Sequence, residues 1–221
     1  MDVAANIQGL YDELPAGVRI VAVTKTRSSE EVMKLYRAGH RIMGENRVQE
    51  LLAKKEELPD DIEWHMVGHL QTNKVKYIAP FVRLIHSVDS VKLLKTVSKE
   101  ALKNSRVIDV LLQVHIAKEE TKFGFSDKEV TGLAKELTPD GYPGVRLRGL
   151  MGMATFTDDS DRVRAEFRYL ASLFREVAGI LGSDFDHFDE LSMGMSGDYR
   201  IAVEEGSTLV RIGSLIFGQR E

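Results

Sequence analysis

The sequence predicts an α/β protein, a single (β/α)8 barrel of the TIM type, on three observations. Eight short apolar runs rich in β-branched residues recur along 221 residues. Amphipathic segments of helical period separate them, so consecutive strands run parallel and are joined by helical crossovers. Eight such units close a barrel more naturally than they extend an open doubly wound sheet, and the chain length suits one barrel and one domain, residues 1–221.

The elements follow in order. A helical pattern ends near Pro15, and the first strand covers residues 18–23. Ser28 and Glu31 stand in capping-box spacing before a helix with Val32, Leu35 and Tyr36 on one face and Gly39 closing it. The second strand, 41–44, precedes an apolar stripe of Val48, Leu51 and Leu52. The third is 62–67, and the fourth, 82–86, leads to a stripe of Val91, Leu94 and Val97. After the fifth, 107–115, Ser126 and Glu129 repeat the capping box ahead of Val130, Leu133 and Leu137. The sixth, 145–151, precedes a long stripe from Val163 through Phe167, Leu170 and Phe174 to Val177. The seventh, 188–193, a short segment with Tyr199, Ala202 and Val203, and the eighth, 209–212, complete the pattern, with 117–125 and 155–161 as longer loops. No Pro/Gly/Ser-rich linker, low-complexity tract or internal repeat divides the chain.

Composition narrows the function. Hydrophobic residues at 43% and charged residues at 29% describe an ordinary globular protein. With 30 Lys and Arg against 34 Asp and Glu, the formal charge of −4 supplies no basic stripe, and nucleic acid is not expected as a partner. The chain has no cysteine, which excludes disulfides and thiolate metal sites and suits a reducing cytoplasm. Gln8, Asp12 and Glu13 interrupt the N-terminal apolar pattern, so no export signal is read. No segment is long and apolar enough for a bilayer, and no membrane partner is expected. No apolar surface stripe calls for pairing, so a monomer is expected.

In such a barrel the functional groups gather at the C-terminal ends of the strands. Lys25 follows the apolar Val21-Ala22-Val23. Desolvation there favours the neutral amine that attacks a carbonyl to form a Schiff base; the competing reading is a rim lysine reaching to solvent. The loops after strands seven and eight form the recurring phosphate site of this fold. There Ser196 can cap the segment that follows and turn its amides to an anion, while Gly213 and Ser214 offer close backbone approach and a hydroxyl. Each also has a plain structural reading, as cap or turn residue. Arg211 points either into the barrel mouth or into a structural ion pair. His65 and His69 share a strand face by spacing, but no suitable carboxylate or cysteine accompanies them, and no metal is expected. Met151, Met153, Met193 and Met195 read as barrel packing, the alternative being a methionine that covers one face of an aromatic ring.

Six blocks stand in a distinctive order. They are Val21-Ala22-Val23-Thr24-Lys25, Gly44-Glu45-Asn46-Arg47-Val48-Gln49-Glu50 and the run from Trp64 to Lys74. Then come Gly149-Leu150-Met151-Gly152-Met153, the run from Leu191 to Asp198 and the run from Val210 to Gly218. The set, extending from about residue 3 to the C-terminus, closely resembles the pyridoxal phosphate homeostasis proteins, which share the barrel of the alanine racemase N-terminal domain. The resemblance implies pyridoxal 5′-phosphate (PLP) as cofactor and a Schiff base at Lys25. It also implies phosphate contacts from Ser196, Gly213 and Ser214, Arg211 at the pyridine nitrogen and Asn46 nearby in support. An arginine there keeps the ring nitrogen unprotonated, which weakens the ring as an electron sink. Ser214 stands where threonine is common and Thr72 where serine is common; both keep the hydroxyl.

The family is regarded as lacking established catalytic activity and as influencing cofactor supply. A chain whose last strand ends near residue 212 also has no room for the second, β-rich domain that completes related racemase sites. The expected function is therefore PLP binding that buffers the cofactor or passes it to apo PLP-dependent enzymes, without turnover. Two alternatives stand beside it. A racemase-like PLP enzyme would need a general base on the opposite ring face, with Tyr199 and His69 as the candidates. A barrel for another phosphorylated metabolite would use Lys25 only as a charge.

Overall fold

In the computed structural model, which describes residues 2–117, 123–138 and 140–219, side-chain caps set where α1, α2 and several later helices begin. Helix α1 (Val3–Glu13) starts at Asp2, whose carboxylate accepts the N–H groups of Ala4 and Ala5. Strand β1 (Arg19–Val23) leads to α2 (Ser29–Arg37), opened by a complete capping box between Ser28 and Glu31. The chain continues through β2 (Ile42–Glu45), α3 (Val48–Glu57), β3 (Glu63–Met66), a 3-10 turn at Thr72–Lys74 with the short α4 (Val75–Ile78), and β4 (Leu84–Val88). Then follow α5 (Val91–Lys103), β5 (Ile108–Gln113) and α6 (Asp127–Glu136), the last opened by a second complete capping box between Ser126 and Glu129. Strand β6 (Val145–Met151), α7 (Ser160–Leu181), β7 (Glu190–Met195), α8 (Tyr199–Glu204), β8 (Leu209–Ile212) and α9 (Ser214–Phe217) finish the fold.

The eight strands form a closed parallel barrel in chain order, with β8 pairing back onto β1. Each predicted strand is present; β6 and β8 keep the expected limits, and the other six shift by one or two residues. Strand β4 begins two residues later than expected, because the N–H of Val82 still bonds back to Ile78 at the end of α4. Strand β7 is displaced likewise: Phe188 turns back to Phe185, and pairing runs on to Met195 opposite Arg211. The expected loop 155–161 is shorter, since α7 begins at Ser160. Residues 118–122 of the expected loop 117–125 lie outside the described residues.

Alternation along the strands divides the apolar residues into two layers. The larger lies between strands and helices and includes Trp64, Phe167, Ile7, Leu35 and Ile85. The smaller fills the barrel, where Val21, Val67, Leu84, Leu111, Met151 and Leu209 pack together. Gly44 belongs to this inner space, since a Cβ there would meet Val21 Cγ1 at 2.8 Å.

The rest of the barrel interior is polar and linked. His65 Nδ1 lies 3.0 Å from His86 Nε2, and His86 Nδ1 lies 2.9 Å from Ser192 Oγ. Burial lowers both imidazoles, His65 to about 3 and His86 well below the usual range, so both are neutral near pH 7. This series of hydrogen bonds reaches Arg211, which donates to Ser192 Oγ at 2.6 Å.

Candidate functional site at the barrel mouth

A cavity of about 520 Å³ opens at the C-terminal ends of the strands. Lys25, Asn46, Ser196, Arg211, Gly213 and Ser214 all line it, from four strand ends distant in sequence. Its size falls within the range of small-ligand sites, about 300–1,000 Å³.

Lys25 stands half-buried on the turn after β1. Asn46 follows β2, and its backbone packs so closely on Gly68 that a Cβ there would come within 2.3 Å of the Asn46 carbonyl oxygen. Asn46 Oδ1 is a buried acceptor at the cavity with no hydrogen-bond partner among the described residues. Buried acceptors are nearly always satisfied, so a ligand donor is the natural complement.

Arg211 is 4% exposed and donates to Ser192 Oγ and to the Gly152 carbonyl at 3.0 Å. No carboxylate forms an ion pair with it among the described residues, so the expected alternative of a structural salt bridge is not the arrangement found. Burial lowers the guanidinium to about 10, opposed by Asp198, which leaves it charged near pH 7. Two of its five N–H groups are thereby used, and a buried cation with no ion-pair partner among the described residues favours an acceptor or anion in the cavity.

The loops after β7 and β8 meet through Ser196, whose Oγ accepts the Gly213 N–H at 3.2 Å. Ser196 therefore does not cap α8 as expected. Asp198 occupies the cap position without a capping bond, and its Oδ1 accepts the Met195 N–H at 2.6 Å. The cause is a bulge: pairing of β7 with β8 shifts between Ser192 and Met195, and Gly194 adopts φ +91°. A Cβ at Gly194 would lie 2.6 Å from that of Ala202, so only glycine fits this turn, which brings Met195, Ser196 and Gly197 to the cavity.

Several lining groups lie outside the six expected residues. Met153 and Met195 line the cavity, whereas only Met151 and Met193 are fully buried packing. Arg27 also lines it, tied to the Gly218 carbonyl, and so do Asp158 and Asp198. Burial raises the Asp198 carboxyl above its ordinary range. The Ser196-Gly197-Asp198 run was a usable signal; Arg27 and Met153 had none, because their placement depends on barrel closure.

Other expected residues fall elsewhere. His65 lies inside the barrel, while His69 lies beyond β3, 3.0 Å from Asp89 and stacked on Phe123 at 3.9 Å between ring centroids. The two do not share a site. Tyr199 is buried outside the cavity lining, its hydroxyl donating to Glu13 at 2.9 Å. Among the described residues no group of three or more His, Asp or Glu is placed to hold a metal. No helix of the described residues is long and apolar enough to cross a membrane.

Comparison with known proteins shows the family and the fold. The family described as "Alanine racemase, N-terminal domain" matches residues 2–221. A curated relative from Aquifex aeolicus (strain VF5), a pyridoxal phosphate homeostasis protein, is 43% identical over 204 residues, covering 92% of this chain and 87% of its own. The solved structure of PipY from Synechococcus elongatus PCC7942, with PLP bound, superposes with a TM-score of 0.88 at 33% identity, covering 98% of this chain and all (100%) of that one. Alanine racemase from Bartonella henselae shares the fold, with a TM-score of 0.74 at 18% identity; the match covers 99% of this chain and 60% of the racemase.

Proposed function

The chain belongs to the pyridoxal phosphate homeostasis protein family, and from that premise we propose that it binds PLP in the barrel-mouth cavity as one domain, residues 1–221. The observation that carries this reading is the convergence of Lys25, Arg211, Asn46 and the Ser196, Gly213 and Ser214 cradle on one cavity.

These residues fit the group. Lys25 would hold the group through its primary amine, the natural partner of an aldehyde. Ser196, Gly213 and Ser214 would hold the phosphate, with Arg27 adding positive charge nearby. Arg211 would donate to the pyridine nitrogen and, because a guanidinium keeps its own proton, would leave that nitrogen unprotonated. Asn46 Oδ1 would accept from a ligand hydroxyl. When bound, PLP supplies an aldehyde that exchanges reversibly between amines and, in enzymes with a protonated ring, an electron sink.

Holding and delivering the cofactor is favoured over turnover. Arg211 works against the electron sink, and neither base candidate lines the cavity, since Tyr199 is engaged by Glu13 and His69 by Asp89. In this reading the protein acts as a cytoplasmic monomer that buffers PLP and passes it to apo PLP-dependent enzymes; the lack of cysteine agrees with a reducing compartment.

The deciding experiment is an absorbance spectrum with PLP before and after borohydride, followed by peptide mass analysis. A visible band that vanishes and leaves a pyridoxyl adduct on Lys25 is expected, with Lys25→Ala losing both. An adduct elsewhere overturns the anchor, and sustained product release with any amino acid overturns the carrier reading in favour of a racemase-like enzyme.

A further inference from the structure

Lys25 sits between two peptide units that are held from below. On one side, Thr24 is fully buried and its N–H donates to the Gly44 carbonyl at 2.9 Å. Its hydroxyl donates to Glu45 Oε1 at 2.6 Å, and its carbonyl accepts from Lys54 Nζ at 2.6 Å. Glu45 and Lys54 are themselves an ion pair at 2.5 Å, with side chains 0% and 7% exposed. Burying such a pair costs desolvation, which its own attraction and the Thr24 hydrogen bonds offset only with this close geometry.

On the other side, Thr26 adopts φ +64°. A β-branched residue rarely takes this left-handed conformation, which persists only where its surroundings enforce it. The enforcing contact is the Glu50 carboxylate, which accepts the Thr26 N–H at 2.8 Å, while the Arg27 N–H closes the turn on the Thr24 carbonyl at 3.0 Å. Glu50 and Lys54 lie one helical turn apart on α3, so a single helix grips both flanks of Lys25. None of Glu45, Glu50 and Lys54 lines the cavity.

We propose that Glu50, supported by the buried Glu45–Lys54 pair, is a positioning residue that fixes the left-handed turn at Thr26 and so aims the Lys25 amine into the cavity. The inference rests on Lys25 being the Schiff-base anchor. Glu50 touches no cofactor atom in this scheme; it acts through the Thr26 peptide.

The test uses the full chain mixed with PLP, with Schiff-base formation followed by visible absorbance, borohydride trapping on Lys25, inorganic phosphate binding and melting of the apo protein. Glu50→Ala is expected to slow Schiff-base formation about tenfold, as a misaimed nucleophile does, while inorganic phosphate binds as in the wild type. Glu50→Gln keeps an oxygen acceptor and is expected to restore the rate. Thr26→Gly, which relieves the backbone strain, is expected to melt no lower than the wild type yet to form the Schiff base more slowly, because glycine frees the turn. The proposal is overturned if Glu50→Ala reacts at the wild-type rate, if Glu50→Gln is as slow as Glu50→Ala, if Thr26→Gly is unaffected, or if phosphate binding falls in parallel with the rate. A wild type that traps no adduct on Lys25 overturns the anchor as well, whereas a normal wild-type adduct with unaffected variants overturns positioning alone.

Discussion

Arg211 carries a conflict between stability and binding. Its guanidinium is buried on neutral acceptors, Ser192 Oγ and the Gly152 carbonyl, so the apo protein bears the desolvation cost of a charge without a full counter-charge. Arg211→Met removes that cost but leaves two acceptors without their donor, terms of opposite sign and similar size. The apo variant is therefore expected to unfold within about 2 kcal/mol of the wild type in urea. PLP affinity is expected to fall about 10- to 100-fold, the worth of a charge-assisted hydrogen bond. A variant that unfolds far below the wild type would make Arg211 a structural residue instead.

At the scale of elements, the end of β7 decides the phosphate side of the site. Gly194→Ala places a Cβ against Ala202 at a backbone angle that alanine rarely adopts. A loss of about 1–3 kcal/mol is expected by urea denaturation, the range for overpacking. Weaker PLP binding should accompany it, because Ser196 moves with the bulge. Wild-type affinity in this variant would show that the Met195–Gly197 segment does not contribute the cradle. This bulge was not legible in the sequence: Gly194 looks like any strand-end glycine until β8 is paired beside it. The capping boxes at Ser28 and Ser126 were legible, because both partners lie within one turn.

For the whole molecule, the buried histidines predict how stability responds to acid. His40 is lowered to about 4 and His65 to about 3 by burial, and His86 lies well below its usual value. Above the unfolded pKa of about 6.5 neither state binds these protons. As pH falls below it, the unfolded chain takes up protons that the native state refuses, so stability drops by up to about 1.4 kcal/mol per pH unit per histidine. Urea denaturation of the apo protein should therefore show falling stability between about pH 6.5 and 4.5, above the range where carboxylates dominate. A flat profile over that interval would mean that the histidines are hydrated or paired differently.

The fold class, the number of strands, both capping boxes and Lys25 just past β1 follow from the residue pattern alone. Each of these rests on periodicity or on contacts between near neighbours in the chain. Tertiary structure alone decided what those positions do together. Barrel closure brings Gly152, Ser192 and Arg211 into one cluster, joins Ser196 to Gly213, and sets Glu50 beneath Thr26. The end of β3 at Met66 separates His65 from His69, four residues apart, leaving one inside the barrel and the other outside the cavity lining. Pairing between strands distant in sequence depends on register, bulges and backbone hydrogen bonds, and no local pattern of residue types encodes those.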